Sequence, residues 1–331
     1  MNNVKALKIV YASTSDFTLP ILQYLFEKSY NVVGLLTKPD LKKGRGKKIS
    51  DSQLKKFALE KNIKIFQDFS LNSFYERVKE EFNEIDIILV VSFGIIFTNK
   101  ILRLPRYGCI NIHFSLLPKW RGSSPIQRSI EYGDNETGIT IIKMNQGVDT
   151  GDILCQKKII IYKNDSTVVL QGRLVQLSIL ALSSFLQNFE KILLHNIGRR
   201  KQIGNFSYAK KITKEESVIS FSHYGAEQIF RKVLGFFPWP GTCFKINDNL
   251  IKFCDVKVLP ECIKEEKNKV FCKYYLPGKI FLVRKEGLYV QTKDKVLLIR
   301  RIQFPGKKML LLENLLNGKK WLKKEWEGLI I

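Results

Sequence analysis

The chain has 331 residues, 45% of them hydrophobic and 26% charged, and its 55 Lys and Arg against 31 Asp and Glu give a formal net charge of +24. That length allows two domains of ~100 to 200 residues, and the composition is that of a soluble globular protein; no run is expected to approach a membrane span, and residues 1–12 lack signal-peptide order. Six cysteines without a C-x-x-C pair and only three histidines argue against a disulfide framework or structural zinc, so the expectation is a cytoplasmic protein with no metal and no membrane partner.

Along the chain, Ala6 to Ala12 is a short apolar run, and Ser13-Thr14-Ser15-Asp16 supplies N-cap chemistry for a helix over Phe17 to Glu27. Asn31 to Leu36 reads as a second strand. Thr37 to Lys48 is then a Pro- and Gly-marked loop with six cationic side chains and one acid, able to meet a phosphate backbone or to serve as an idle basic surface. A helix near Ser50 to Lys61, a strand at Ile63 to Phe66 and a helix over Phe74 to Phe82 continue the rhythm. Ile85 to Val91 is almost unbroken apolar sequence, as expected for a strand covered on both faces. Ser92-Phe93-Gly94-Ile95-Ile96 follows as a glycine-interrupted turn that leaves backbone groups open at a strand end. The alternation predicts an α/β class, a Rossmann-like doubly wound sheet with its site at the carboxyl ends of the strands. G-x-G-x-x-G, Walker A and G-x-S-x-G motifs are all absent, which disfavours hydride transfer, phosphoryl transfer and the hydrolase elbow.

Cys109-Ile110-Asn111-Ile112-His113-Phe114 alternates with strand period, so Asn111 and His113 share a face. An amide beside an imidazole can hold a developing oxyanion and manage a proton, and Asp149, in the turn Gln146-Gly147-Val148-Asp149-Thr150-Gly151, could orient or charge the histidine. On spacing alone the same residues suit a structural role. Arg121 is placed either to touch substrate or to pair with Asp152 or Glu131. A helix over Ser124 to Tyr132, strands at Gly138 to Met144 and Ile153 to Tyr162, and a long helix over Leu170 to Leu194 complete this half.

Gly198 to Thr213 is basic, polar and glycine-spotted, a linker. A helix at Tyr224 to Gly235 and the rigid Pro238-Trp239-Pro240 turn precede five short strands, at Thr242 to Ile246, Ile251 to Val258, Gly278 to Val283, Gly287 to Gln291 and Lys295 to Gln303. They predict a small barrel of the OB type, closed by a helix over Gly306 to Leu316, with Lys264 to Lys269 a loop. The domains are therefore set at 1–204, a basic linker at 205–218, and 219–331. The charge suggests a polyanion partner, yet residues 201–331 carry 26 basic and 13 acidic side chains and residues 1–200 carry 29 and 18, a spread that solvated lysines also explain.

Asn-x-His, then Ser115-Leu116-Leu117-Pro118, Arg121-Gly122 and Asp149-x-Gly151-Asp152 closely resemble the signature of the folate-dependent formyltransferases, and within them the methionyl-tRNA formyltransferases, over nearly the whole chain. The resemblance implies formyl transfer from 10-formyltetrahydrofolate to the amino group of charged initiator tRNA, with Asn111, His113 and Asp149 catalytic. It implies a folate pocket lined by Gly94, Ile95, Ile96, Ser115, Leu116, Leu117, Pro118 and Gly147. It also implies tRNA contacts from Arg45, Lys47 and Lys48 in the early loop and from Lys210 and Lys211 in the linker. No metal enters the chemistry, and a monomer is expected. Other formyltransferases of small nucleotides resemble only the residues up to about 200 and leave the basic C-terminal part without a role. A tRNA-binding relative without activity is the reading of another class, and labelled formyl transfer separates the two.

Overall fold

The computed structural model describes residues 4–39, 42–43, 48–49, 51–67, 70–260, 263–264, 270–271, 275–318 and 321–331. Close contacts gather the chain into two compact units, Met1–Pro125 with Glu136–Ile160 and Leu170–Lys210, and Ile126–Asn135 with Ile161–Val169 and Lys211–Ile331.

The first unit holds β1 (Ile9–Ala12), α1 (Leu19–Glu27), β2 (Val32–Leu36), the two-stranded ribbon β3 (Lys42–Lys43) and β4 (Lys48–Ile49), α2 (Gln53–Glu60) and β5 (Lys64–Phe66). It continues through α3 (Leu71–Phe82), β6 (Ile87–Val91), α4 (Asn99–Leu102), β7 (Cys109–His113) and β8 (Arg121–Gly122). After α5 (Pro125–Tyr132), which from Ile126 onward belongs to the second unit, come β9 (Glu136–Lys143), β10 (Asp152–Ile160), α6 (Thr167–Gln187), α7 (Phe189–Leu193) and β11 (Tyr208–Ala209). Seven strands form one sheet in the order β10-β9-β7-β6-β1-β2-β5. The five from β7 to β5 are parallel, and β1 and β6 are buried at every position, which is why both read as apolar runs without alternation. Strands β9 and β10 pair antiparallel at one edge, because the short turn through Asp149 cannot make a crossover connection. Since β1 runs outward to β2 on one side and to β6 on the other, the topological switch, where sheets of this kind place their sites, lies at their carboxyl ends.

Three expectations need correction here. Ser13 to Asp16 do not cap a helix at Phe17; a single 3-10 turn at Asp16–Thr18 precedes α1, and Ser15 makes no capping bond. Their side chains are spent on other partners, Ser13 Oγ on Thr18 Oγ1 at 2.8 Å and Ser15 Oγ on Ser92 Oγ at 3.0 Å. The long helix is α6 followed by α7, broken at Asn188. At 21 residues, with an 18-residue stretch of mean hydropathy 1.5, α6 is by length and composition apolar enough to cross a membrane, contrary to the expectation that no run comes near. Its positions Leu170, Leu174, Ser178, Ala181, Leu182 and Phe185 are buried at helical spacing, the pattern of a core helix with one covered face.

The second unit contains α8 (Ala226–Gly235), β12 (Thr242–Ile246), β13 (Asn249–Leu259), the ribbon β14 (Ile263–Lys264) and β15 (Val270–Phe271), β16 (Ile280–Arg284), β17 (Gly287–Gln291) and β18 (Val296–Gln303). β19 (Leu310–Leu311), α9 (Leu312–Gly318) and α10 (Trp321–Trp326) end the chain. The five expected strands form an antiparallel sheet in the order β12-β13-β18-β17-β16, with β19 added beside β18. Phe221, Phe244, Phe253, Leu288, Leu297 and Ile299 fill its inner face. Residues expected to begin the terminal helix pair as β19 instead, and α10, which was not expected, sends Leu322 and Trp326 into the same core at i, i+4 spacing. The expected loop at Lys264 to Lys269 lies largely outside the described residues.

Within this unit α5 and α8 share a buried set of charges. Arg128 Nη1 bonds Glu131 Oε2 at 2.6 Å and Glu216 Oε2 at 2.7 Å, and Lys232 Nζ bonds Glu131 Oε1. Lys232 also sits 4.7 Å from the ring centre of Tyr224 and 4.8 Å from that of Phe236.

Candidate active site

β7 ends with Asn111 half-buried and His113 buried, side by side on one face as the strand alternation predicts. Asp149 joins them from the β9–β10 turn. Its Oδ1 accepts from Asn111 Nδ2 at 3.0 Å, and its Oδ2 accepts from the Gly122 backbone N–H at 2.8 Å and lies 3.5 Å from His113 Nδ1. The contact to the histidine is longer than a hydrogen bond, so the carboxylate is anchored by the amide and the backbone and faces the ring without holding it. What holds the ring is its other nitrogen, which donates to the Trp120 carbonyl at 2.8 Å. A carbonyl can only accept, so the Nε2 proton is fixed and Nδ1 is the nitrogen where a proton is gained or lost opposite Asp149.

The backbone pays a local cost to build this arrangement. Asp149 has φ +53°, Trp120 +65° and Gly122 +117°, all left-handed, and non-glycine residues held so cluster at sites that their surroundings over-determine. A Cβ at Gly122 would lie 2.7 Å from the Ala209 carbonyl oxygen, so the close pairing of β8 with β11 requires glycine. At Gly151 a Cβ would meet the Lys143 carbonyl oxygen at 1.8 Å, which explains the second glycine of the Asp149 turn.

The surroundings that over-determine the site were not visible in sequence. Gln202 Nε2 donates to the Asp149 carbonyl at 2.7 Å and to the Gly151 carbonyl at 2.8 Å, while its Oε1 accepts from Arg121 Nε at 3.0 Å and Nη2 at 2.7 Å. Arg121 therefore pairs with neither Asp152 nor Glu131: Asp152 takes Arg199, and Glu131 takes Arg128 and Lys232. No local pattern announces a partner 81 residues away. Thr140, by contrast, left a signal as a polar residue inside the apolar run of β9. Its Oγ1 donates to the Ser115 carbonyl at 2.6 Å and accepts from Leu117 N–H at 3.1 Å, and Gln156 Nε2 donates to the Leu117 carbonyl at 3.0 Å.

The other expected residues fall in three places. Ser115 and Leu117 are buried, with Ser115 Oγ donating to the Lys119 carbonyl at 2.6 Å, whereas Leu116 and Pro118 are half-buried in the same loop after β7. Gly94, Ile95 and Ile96 are exposed after β6, at the switch point. Thr14 Oγ1 braces that turn by bonding the Ser92 and Phe93 carbonyls, both at 3.1 Å, and Gly94 adopts φ +72°. Gly147 is exposed in the Asp149 turn. Lys210 and Lys211 are exposed just after β11. Arg45 and Lys47 lie outside the described residues, and of Lys48 only its place in β4 is described. Cys109, at the other end of β7, is buried, which pushes its thiol far above the usual range and leaves it unreactive.

A family model described as formyl transferase matches residues 5–186, and one described as formyl transferase, C-terminal domain, matches residues 211–320. Methionyl-tRNA formyltransferases of Francisella tularensis subsp. mediasiatica and subsp. novicida are each 40% identical to this chain over 318 residues, which is 96% of both partners. Among solved structures, HypX from Aquifex aeolicus in complex with tetrahydrofolic acid has a TM-score of 0.62 at 13% identity, covering 95% of this chain and 47% of its own. An N-formyltransferase from Helicobacter canadensis, solved with folinic acid and dTDP-3-aminofucose, has a TM-score of 0.59 at 18% identity, covering 88% and 98%. At these identities the structures speak for the fold.

Proposed function

The chain belongs to the formyl transferase family, and we propose that it moves the formyl group of 10-formyltetrahydrofolate to the α-amino group of methionine charged on initiator tRNA, giving N-formylmethionyl-tRNA. The observation that carries the reading is the cluster of Asn111, His113 and Asp149 at the carboxyl end of β7, in a chain similar from end to end to methionyl-tRNA formyltransferases.

In this reading the neutral amine attacks the formyl carbon, a C–N bond forms, and the carbonyl oxygen becomes an oxyanion. Asn111 uses one N–H on Asp149 and directs its second at that oxygen. His113 receives the ammonium proton at Nδ1, where the Asp149 carboxylate stabilises the resulting imidazolium. When the tetrahedral adduct collapses, the bond to the folate nitrogen breaks and that nitrogen leaves with a proton. The step uses no metal. The donor's flat ring would be taken by the strand-end loops of Gly94–Ile96, where Ile95 and Ile96 are exposed, and of Ser115–Pro118, with Gly147 of the Asp149 turn.

The organisation proposed is catalysis in residues 1–204, a basic linker at 205–218, and tRNA affinity from 219–331, with Arg45, Lys47, Lys48, Lys210 and Lys211 on phosphates. The enzyme is read as a cytoplasmic monomer. Transfer of labelled formyl to charged initiator tRNA by the purified chain tests the whole reading. Folate-independent tRNA binding without formylated product would overturn it.

A further inference from the structure

From the face that Arg121 shares with the segment leading into β11, we propose that Arg121, Phe206 and Tyr208 form a stacking platform for an unpaired base at the 3′ end of the tRNA. This rests on the functional reading above and adds to it a subsite of a different chemistry, aromatic where the lysines are electrostatic.

Phe206 and Ser207 lead directly into β11 at Tyr208, and along such a strand alternate side chains face opposite ways. Ser207 turns inward: its Oγ accepts from Trp120 N–H at 3.0 Å and its carbonyl accepts from Arg121 N–H at 2.8 Å. Phe206 and Tyr208 therefore turn outward, where they are 56% and 55% exposed, and their rings meet edge to face at 5.5 Å. Arg121 lies over the Phe206 ring with Cζ 4.9 Å from its centre, while Gln202 holds the same guanidinium from the side. Two large rings left in water beside a fixed cationic plane are poor packing but a good receptor for a flat π-system.

The position selects the occupant. Arg121 precedes Gly122, whose N–H anchors Asp149, so the platform adjoins the catalytic cluster. The segment 198–213 around it contains Arg199, Arg200, Lys201, Lys210 and Lys211 and no acidic residue. A partner that is anionic along its backbone, carries flat rings and must bring one end to Asp149 is single-stranded nucleic acid. In a charged tRNA that describes the unpaired 3′ nucleotides bearing the aminoacyl group. Fixing one of those bases would limit where the α-amino nitrogen can lie.

The test measures binding of the full chain to deacylated initiator tRNA, either intact or trimmed of its unpaired 3′ nucleotides, and to intact tRNA carrying 2-aminopurine in that end. Phe206→Leu keeps an apolar side chain while removing the ring, and Tyr208→Leu does the same beside it. Each should weaken binding of intact tRNA about tenfold, leave binding of trimmed tRNA at the wild-type value, and relieve the 2-aminopurine quenching seen with wild type. Phe206→Trp should restore both signals. Equal losses on intact and trimmed tRNA, or wild-type affinity in both leucine variants, would overturn the platform while leaving the formyl-transfer reading in place. A wild-type protein that neither binds nor formylates methionyl-tRNA would overturn the reading and the platform together.

Discussion

Asp149 is the residue on which the site converges, since one carboxylate restrains Asn111 directly and faces the only ring nitrogen of His113 that is not tied to the backbone. Its loss would free Asn111 and remove the charge that faces His113 Nδ1. Replacing Asp149, Asn111 or His113 with Ala should lower kcat by at least ~10²-fold, the scale of losing an oxyanion donor or an acid–base group, with tRNA affinity little changed. Near-normal turnover in the Asn111 and Asp149 variants, measured by formyl transfer, would remove both from the chemistry. Gln202 acts at one remove, as a positioning residue whose amide is used on both ends. Gln202→Leu should drop kcat about tenfold by loosening the Asp149 turn. A Gln202→Leu enzyme with a lower melting temperature but an unchanged kcat would have lost only stability.

Elements differ in how readily their sequences declare them. The strands β1, β6 and β7 were legible because burial on both faces, or alternation at a strand end, writes a local pattern. So was the pairing of Asn111 with His113. What could not be read is set by contacts far apart in sequence. The β8–β11 ladder, the grip of Gln202 on Arg121, and the grouping of α5 with the C-terminal unit all depend on partners more than seventy residues distant. The charges on α5 show why that last case matters. Glu131 is nearly buried between Arg128 and Lys232, so Glu131→Ala should take the bonded carboxylate from Lys232 and one of two from Arg128, and destabilise the C-terminal unit by about 3 kcal/mol in a denaturant titration. Glu216 adds a pH dependence. Burial alone would raise its pKa, but hydrogen bonds from Arg128 and the Thr213 N–H, with the charges of Arg128 and Lys232, bring it below the ordinary carboxylate value. A depressed carboxylate stabilises above its unfolded pKa and loses that contribution as pH falls through the folded one. The unit should therefore weaken on the acid side, from about pH 4 downward, and Glu216→Gln should flatten that slope. A variant as acid-sensitive as wild type would assign the slope elsewhere.

At the scale of the whole molecule the charge of +24 is both the strongest bulk signal and the one least tied to particular residues. Lysines spread over both halves of the chain would behave alike toward any polyanion, whereas phosphate contacts concentrated in a few places release a countable number of ions. Salt separates the two. If Lys210, Lys211 and the early basic loop track the backbone of the acceptor end, the logarithm of tRNA affinity should fall linearly with that of salt, with a slope that reports the phosphates engaged. Substituting Lys210 and Lys211 together by Gln should then reduce the slope by about two and weaken binding most at low salt. Arg45→Ala should reduce it by about one and lower kcat/KM for methionyl-tRNA at least about tenfold, since a guanidinium on phosphate makes charge-assisted contacts worth about 1.5 to 3 kcal/mol each. Affinity for the folate should barely respond to salt in any of these proteins, because its ring would be held by apolar surface and backbone groups near Gly94 and Leu116. A slope left unchanged by all three substitutions would mean that the excess charge acts as a diffuse field and that these side chains lie away from the tRNA. Discrimination would then fall to the aromatic surface beside Arg121, which is insensitive to salt and close enough to Asp149 to act on the reacting end.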